Sequence, residues 1–226
     1  MPAATTPVIP RPQPATRRTA HVAIVLDRSG SMESCRDATI SGFNEYAQQV
    51  RATAADTLDA RLTLTVFNHE IRMPLFRESL DTLRPLSRAT YVPHGTTAML
   101  DAVGRTIDRL ERRCAHDRDV TFLVCVISDG YENASREYSY GDIAERIQRL
   151  TATERWTFTY LGSNQDLSKV SADLHIPQGN IAGYDATAAC TPSAWRRHTR
   201  ATERHLRGIH QAAPAATDFY LDSDGS

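Results

Sequence analysis

Three residues with oxygen-bearing side chains stand at alternate positions after an apolar run. Asp27, Ser29 and Ser31 follow the stretch 21–26 (HVAIVL), and Gly30 separates the two serines. Alternate side chains can project toward one point where the backbone turns tightly, which a glycine allows. A carboxylate and two hydroxyls suit a hard cation such as Mg²⁺, Mn²⁺ or Ca²⁺, whereas zinc prefers histidine or cysteine. The pattern therefore predicts a divalent-cation site.

Two further segments offer oxygen ligands of the same kind. Asp129 follows the most apolar run, 120–127 (VTFLVCVI), and precedes a glycine. Between the two runs lies 94–101 (HGTTAMLD), where Thr96 and Thr97 stand at the start of a helical pattern. Each hydroxyl there either caps the helix or faces a ligand. Any one of these loops alone is compatible with an ordinary polar turn, but all three together favour a metal site.

The three segments resemble the metal-ion-dependent adhesion site of the von Willebrand factor type A family. That family carries D-x-S-x-S on the first loop, a threonine on the second and an aspartate on the third. The matching residues here are Asp27, Ser29, Ser31, Thr97 and Asp129, with Thr97 chosen over Thr96 by its place before AMLDA. The resemblance covers about residues 20–163. It implies that hydroxyls hold Mg²⁺ or Mn²⁺ directly, that one or both aspartates act through water, and that an Asp or Glu of a partner protein completes the coordination.

One residue departs from the usual family pattern. Arg28 stands where threonine or valine is common between the aspartate and the first serine. We expect its side chain to point away from the metal, toward a partner or an acidic neighbour such as Glu33. Glu132 is a second candidate for partner contact, although it and Asn133 are better suited to ordering the rim of the site.

The elements that must position these loops alternate between strands and helices. Apolar runs predict strands at 21–26, 61–67, 70–76, 120–127, 156–161 and 180–184, and helical spacing predicts helices at 40–50, 100–110, 143–150 and 192–209. This alternation predicts an α/β fold with three layers, a Rossmann-like, mostly parallel sheet covered by helices on both faces. The close spacing of the second and third strands predicts one antiparallel edge strand. Ligands on such sheets bind beyond the carboxyl ends of the strands, where the strand order reverses.

Composition and length predict one domain with two tails. The 226 residues are 41% hydrophobic and carry a formal charge of −1, so no global field attracts nucleic acid or membrane. We expect disordered tails at 1–18 and 211–226 around a domain at 19–210. No apolar run approaches the roughly 18 residues that span a bilayer, and the N-terminus lacks a secretory pattern. These features predict a cytoplasmic protein.

The cysteine spacing predicts neither a disulfide nor a zinc site that would stabilise the fold. Cys35, Cys114, Cys125 and Cys190 form no C-x-x-C pair and match no zinc or disulfide framework. Cys114 and Cys125 lie in apolar stretches and are expected to be small buried hydrophobic residues.

The sequence offers two alternatives to metal-dependent docking, which are ligand binding by a basic helix face and phosphotransfer. A basic face on the last predicted helix could bind phosphate or an acidic ligand, through Arg196, Arg200, Arg204 and Arg207, although such a face is more often simply solvated. An aspartate at a strand end with Mg²⁺ also begins phosphotransfer by an aspartyl nucleophile. Enzymes of the haloacid-dehalogenase type carry a second aspartate two residues later, where this chain has Ser29. The sequence contains neither G-x-S-x-G nor G-x-x-x-x-G-K-[ST]. We therefore expect a binding module and not an enzyme.

Overall fold

A computed structural model describes residues 17–55, 57–114, 116–117, 119–163, 167–184, 192–211 and 213–221. The strands are β1 (Arg18–Asp27), β2 (Leu58–Phe67), β3 (Ile71–Ser79), β4 (Val120–Ser128), β5 (Trp156–Ser163) and β6 (Ile181–Tyr184). The α-helices are α1 (Arg36–Ala54), α2 (Met99–Cys114), α3 (Tyr140–Thr151), α4 (Leu167–Leu174) and α5 (Pro192–His210). Short 3₁₀ helices occupy Gly30–Cys35, Leu80–Thr82 and Gln178–Asn180.

The strands form one twisted layer in the order β3-β2-β1-β4-β5-β6. The β2–β3 pair is antiparallel and every other neighbouring pair is parallel. The predicted α/β fold with an antiparallel edge strand is confirmed. The chain leaves β1 toward β2 on one side and later returns to β4 on the other, so the strand order reverses between β1 and β4. The carboxyl ends of these two strands are therefore where a ligand site is expected.

The central strands are buried on both faces, which explains their nearly unbroken apolar runs. In β1, Val22, Ile24 and Leu26 belong to one hydrophobic cluster, and Ala23 and Val25 belong to the other. Successive side chains of a strand point to opposite faces, so this single strand supplies both cores.

Two helical layers cover the sheet. The first cluster includes α1 and α5, which pack against each other so closely that the Trp195 ring lies over Gly42. A Cβ at Gly42 would be 2.2 Å from that ring, so glycine sets the distance between the two helices. The second cluster includes α2 and α3, with α4 at its edge. The helix α4 was not predicted, because its eight residues give too short a pattern to stand out.

The expectation of a disordered tail after residue 210 is wrong for 213–221, which we call the C-terminal segment. Phe219 and Tyr220 are buried in the first hydrophobic cluster. The Tyr220 amide donates to the Gly179 carbonyl oxygen at 2.8 Å, and the Phe219 amide donates to Asn180 Oδ1 at 2.9 Å. Of the other predicted tail, residues 1–16 lie outside the described part, and Arg18 already begins β1.

The cysteines also differ from expectation. Cys114 and Cys125 are buried free thiols, as predicted, but Cys35 is disulfide-bonded. The expectation of no disulfide is therefore wrong for Cys35, because spacing along the chain does not report which cysteines the fold brings together. Within the described ranges, no helix is both long and apolar enough to cross a membrane.

Candidate metal site

Asp27 forms the buried floor of the site at the end of β1. Its side chain is fully buried, and both carboxylate oxygens accept hydrogen bonds. Oδ1 accepts from the Ser29 amide at 2.6 Å, and Oδ2 accepts from the Ser128 hydroxyl at 2.6 Å. The first bond shapes the turn that follows β1, and the second ties β1 to the end of β4.

The two serines extend from this floor to the surface. Ser29 is buried and Ser31 is exposed, and their hydroxyl oxygens lie 3.1 Å apart. Ser31 Oγ donates a 2.6 Å hydrogen bond to Asp129 Oδ1, which joins the first loop to the third. The structure thus brings together four of the predicted ligands in one continuous line from Asp27 to Asp129.

Thr97 supplies the hydroxyl from the second loop. Thr97 is buried, whereas Thr96 is exposed. A Cβ placed on Gly130 would lie 3.0 Å from Thr97 Oγ1 and 3.7 Å from both Asp27 Oδ2 and Ser29 Oγ. Oxygen atoms of the first and second loops therefore face one small space beside Gly130 of the third loop. This geometry places Thr97, and not Thr96, with the other candidate ligands.

Backbone hydrogen bonds hold the first loop against the second. The Gly30 amide donates to the Gly95 carbonyl oxygen at 3.0 Å, and the His94 amide donates to the Arg28 carbonyl oxygen at 2.9 Å. Gly95 has φ of +77°, and a Cβ there would be 2.3 Å from His69 Nδ1. A glycine is required at this position for both reasons.

Three side chains anchor the loop after Asp129 to the start of α2: Glu132 and Asn133, which were expected to order the rim, and Asp101, which was not predicted. The Glu132 carboxylate accepts from the amides of Leu100, Ala134 and Ser135 and from the Ser135 hydroxyl, at 2.7–2.9 Å. The Asp101 carboxylate accepts from three successive amides, at 136–138. Asn133 Oδ1 accepts from the Thr97 amide at 2.9 Å. Glu132 is thus engaged inside the loop, which leaves little of its carboxylate for a partner.

Arg28 is also engaged by the fold. Its side chain is buried, and its guanidinium donates to Asn68 Oδ1 at 3.4 Å and to Glu70 Oε2 at 3.5 Å. The Arg28 side chain was expected to point toward a partner or toward an acidic neighbour such as Glu33. The acidic residue that it contacts is Glu70. Glu33 instead pairs with Arg36 at 3.3 Å. Arg28 therefore joins the first loop to the β2–β3 turn.

Burial controls the charge of the site. It raises the pKa of Asp27 to about 6, against the opposing effect of hydrogen bonds from Ser128 and Ser29. Burial also raises the pKa of Asp129, and the Ser31 hydroxyl opposes this increase. Two carboxylates that are costly to ionise without a counter-charge are what a cation-binding site presents before the cation arrives.

The donor set fits a hard divalent cation. It contains two carboxylates and three hydroxyls and no nitrogen or sulfur. Among the described residues, no group of three or more His, Cys, Asp or Glu side chains forms an alternative metal site. A Cβ on Gly130 would come within 3.0 Å of Thr97 Oγ1, so glycine at this position leaves room for an ion beside the loops.

Serine and tyrosine hydroxyls that the sequence analysis missed complete the surroundings. Besides Ser128, the buried Tyr91 hydroxyl donates a 2.6 Å hydrogen bond to the Asp27 carbonyl oxygen. The Tyr184 hydroxyl lies 3.5 Å from the Ser128 carbonyl oxygen. Burial raises the pKa of Tyr91, and the nearby Asp27 and Asp129 carboxylates raise it further, so its hydroxyl stays neutral. Ser128 directly precedes Asp129 at the end of a predicted strand, and this position could have indicated that its hydroxyl lies near the site.

The basic residues of α5 lie away from this site. Arg196 and Arg200 are exposed beside α1, near Glu45 and Glu203. Arg204 donates to the carbonyl oxygens of Phe219 and Leu221, and Arg207 lies 3.9 Å from Glu203. These four arginines do not converge with the candidate metal ligands, and Arg204 helps to hold the C-terminal segment.

Comparisons with known proteins identify the fold. No protein-family profile and no curated protein sequence matches the chain. The von Willebrand factor domain of the type V pilus tip protein Mfa5 from Porphyromonas gingivalis superimposes with a TM-score of 0.58 at 10% identity, covering 85% of this chain and 97% of that one. The described residues therefore have the fold of a von Willebrand factor type A domain.

Two similar structures are of metal-loaded proteins. Manganese-loaded TRAP from Plasmodium vivax superimposes with a TM-score of 0.52 at 17% identity, covering 77% of this chain and 72% of that one. Proximal thread matrix protein 1 from the mussel byssus, with a zinc-occupied adhesion-site motif, gives a TM-score of 0.51 at 14% identity. That comparison covers 87% of this chain and 46% of the mussel protein, so this chain spans less than half of it.

Proposed function

We propose that this chain, which has the fold of a von Willebrand factor type A domain, is a metal-dependent protein-binding module. Its site would hold Mg²⁺ or Mn²⁺ through Asp27, Ser29, Ser31, Thr97 and Asp129. The observation that carries the proposal is that Asp27, Ser29 and Thr97 oxygens face one space beside Gly130, with Asp129 joined to them through the Ser31 hydroxyl. The fold comparison with metal-loaded relatives supports the same assignment.

A bound cation would supply positive charge at the surface end of the site. Ser31 is exposed and Asp129 is half-buried, so this end is open to a partner, whereas Asp27 is closed off beneath it. A carboxylate from an Asp or Glu side chain is the ligand that a hard cation prefers there. The chain's own residues would orient that carboxylate by fixing the position of the ion.

Catalysis is a weaker proposal for the same residues. A nucleophilic aspartate must reach its substrate, but Asp27 is buried and both of its carboxylate oxygens accept hydrogen bonds. The position two residues later, where a second aspartate would be needed, holds Ser29. We therefore infer a binding role and not phosphotransfer. The basic face of α5 gains no support as a ligand site, because Arg204 and Arg207 already have partners.

The disulfide at Cys35 bears on location. Disulfides persist in oxidising compartments and are rare in the cytosol, where thiols are kept reduced. We therefore propose an oxidising environment for this protein in place of the cytoplasm.

Thermal unfolding of wild type and Asp27→Asn, each in EDTA and in excess Mg²⁺ or Mn²⁺, tests the metal site. A ligand that binds only the folded state stabilises it by about 2.7 kcal/mol at a hundredfold excess over Kd. We expect wild type to gain melting temperature with metal and Asp27→Asn to gain none. Asp129→Asn should lose most of the gain as well. An equal gain in wild type and both variants would place the metal elsewhere and refute the proposal.

A matched control is available on α2. Asp108 is an acidic residue of α2 that pairs with Arg146 and is not one of the candidate ligands. Asp108→Asn should lower stability equally in EDTA and in metal, and should leave the metal-induced gain intact.

A further inference from the structure

Three of the four large apolar side chains that remain exposed among the described residues lie in segments at the carboxyl end of the sheet. The four are Val92, Tyr131, Tyr140 and Leu221, with 43%, 65%, 40% and 61% of their surface exposed. The first three lie in the loops or helix start at the carboxyl end of the sheet, and Leu221 lies in the C-terminal segment. Scattered exposed apolar residues are ordinary, but a group beside a ligand site indicates an interaction surface.

Two of these residues are joined directly to the site loops. Tyr131 follows Asp129 and Gly130, next to the exposed end of the ligand set. Val92 lies between Tyr91, whose hydroxyl donates to the Asp27 carbonyl oxygen, and His94, whose amide donates to the Arg28 carbonyl oxygen. Exposed apolar residues thus occur on the third loop and on the segment that leads into the second loop.

Charged side chains around the same loops are largely neutralised by one another. Glu70 pairs with both Arg28 and Arg72, and Glu33 pairs with Arg36. Such pairs leave little field to attract an acidic protein over a distance. The cation would be the positive charge that selects a carboxylate, and the remaining selectivity must come from uncharged contacts.

We propose that the partner is a protein segment in which an Asp or Glu side chain lies next to an aromatic or large aliphatic side chain. The carboxylate would bind the ion, and the apolar side chain would pack on Tyr131 and Val92. The inference rests on the proposed function and adds the chemical class of the bound segment. A tyrosine beside a buried anchor is a typical site of binding energy, because it gives a large rigid contact area at small entropic cost.

A free carboxylate such as acetate would gain nothing from these apolar residues. A phosphate or nucleic-acid ligand needs several unpaired basic side chains. The arginines around these loops already form ion pairs, Arg28 and Arg72 with Glu70, and Arg36 with Glu33. The combination of one ion and flanking apolar side chains therefore matches a short mixed segment of a protein.

Selection from a phage-displayed library of random 12-residue peptides tests the proposal. The full chain is the target in Mn²⁺, and bound phage are eluted with EDTA. We expect the selected peptides to share an acidic residue with an aromatic, Leu, Ile or Met side chain within three positions. Synthetic versions should bind Tyr131→Ser at least tenfold more weakly than wild type, which corresponds to about 1.4 kcal/mol.

Leu221→Ser is the matched control, because it removes an equally exposed apolar side chain from another part of the surface. It should leave peptide affinity unchanged. Both variants should retain the wild-type gain in melting temperature with Mn²⁺, which shows that the metal site is intact.

The outcomes separate this inference from the proposed function. Acidic peptides without an apolar preference, or equal affinity for wild type and Tyr131→Ser, would overturn the inference and leave metal-dependent binding in place. A selection that yields no EDTA-eluted peptides would overturn the inference. If there is also no metal-induced gain in melting temperature, the proposed function is overturned as well.

Discussion

Ser128 Oγ donates a 2.6 Å hydrogen bond to Asp27 Oδ2 and so joins the carboxyl ends of strands β1 and β4. The two residues are 101 positions apart in the chain and end neighbouring parallel strands. The hydroxyl therefore fixes the rotamer of the most buried candidate ligand without being a ligand in the family pattern. Residues that orient metal ligands in this way commonly contribute ten- to a hundredfold to affinity.

Ser128→Ala should therefore weaken Mg²⁺ or Mn²⁺ binding by about tenfold or more while all five candidate ligands remain. The measurement is isothermal titration of the metal into EDTA-treated, desalted protein. Ser163→Ala is the control, because Ser163 is a buried serine at the end of the adjacent strand β5 and is not one of the five candidate ligands. Equal affinities for wild type and Ser128→Ala would show that Asp27 is held without this bond.

Gly130→Ala should abolish metal binding while the fold persists. The added methyl group would lie 3.0 Å from Thr97 Oγ1 and 3.7 Å from Asp27 Oδ2, inside the space that the ion needs. We expect no metal-induced gain in melting temperature and only a modest change in EDTA. Gly141→Ala is the control, because a methyl there would come no closer than 3.7 Å to its neighbour, Ser139 Oγ. An unchanged metal response in Gly130→Ala would move the ion away from this space.

His198 should make the protein sensitive to acid. Burial lowers its pKa to about 3, and its Nδ1 lies 2.8 Å from the Tyr220 hydroxyl oxygen. In the unfolded chain the His198 imidazole is protonated with a pKa near 6.5, whereas in the folded protein it stays neutral until about pH 3. The free energy of unfolding is therefore highest above pH 6.5 and decreases as the pH falls toward 3. From pH 7 to 5, wild type should lose about 2 kcal/mol more than His198→Gln.

Urea unfolding in EDTA at both pH values measures this difference, and EDTA removes any effect of pH on metal binding. His116 is exposed, so His116→Gln should keep the wild-type pH dependence. A His198→Gln variant with the full wild-type loss would mean that other groups carry the acid sensitivity.

Reduction should destabilise the protein through Cys35. A disulfide typically contributes about 2–4 kcal/mol, so dithiothreitol should lower the melting temperature of wild type and have no effect on Cys35→Ser. Cys114 is a free buried thiol, so Cys114→Ser should keep the wild-type response to reductant. Thiol alkylation followed by mass spectrometry should find two fewer reactive cysteines in unfolded wild type before reduction than after it. Four reactive cysteines before reduction would rule out the disulfide.

The sequence predicted those parts of the site that depend on order along the chain. Asp27, Ser29 and Ser31 are alternate residues of one loop, so their convergence follows from local geometry. The supporting bonds were not predictable, because Ser128 reaches Asp27 and Asp101 reaches the amides at 136–138 only after distant segments have packed.

The same difference between local sequence patterns and contacts of distant segments explains which parts of the fold were predicted wrongly. Strands β1 and β4 carry long apolar runs and were predicted within a few residues of their ends. Phe219 and Tyr220 stand in a short Ala- and Pro-containing stretch with no periodicity, and only the surface they cover shows that they belong to the core. The disulfide of Cys35 likewise depends on spatial proximity, which spacing does not encode.

The burial of Phe219 and Tyr220 has a practical consequence for anyone who trims this chain. A recombinant fragment that stops at His210 would keep every strand and helix and every candidate ligand, and would look complete by secondary structure. It would nevertheless uncover His198 and His205, which pack against these two aromatic rings. Such a fragment should express poorly or aggregate, and its failure to bind metal would then say nothing about the site. Cloning boundaries belong beyond Leu221.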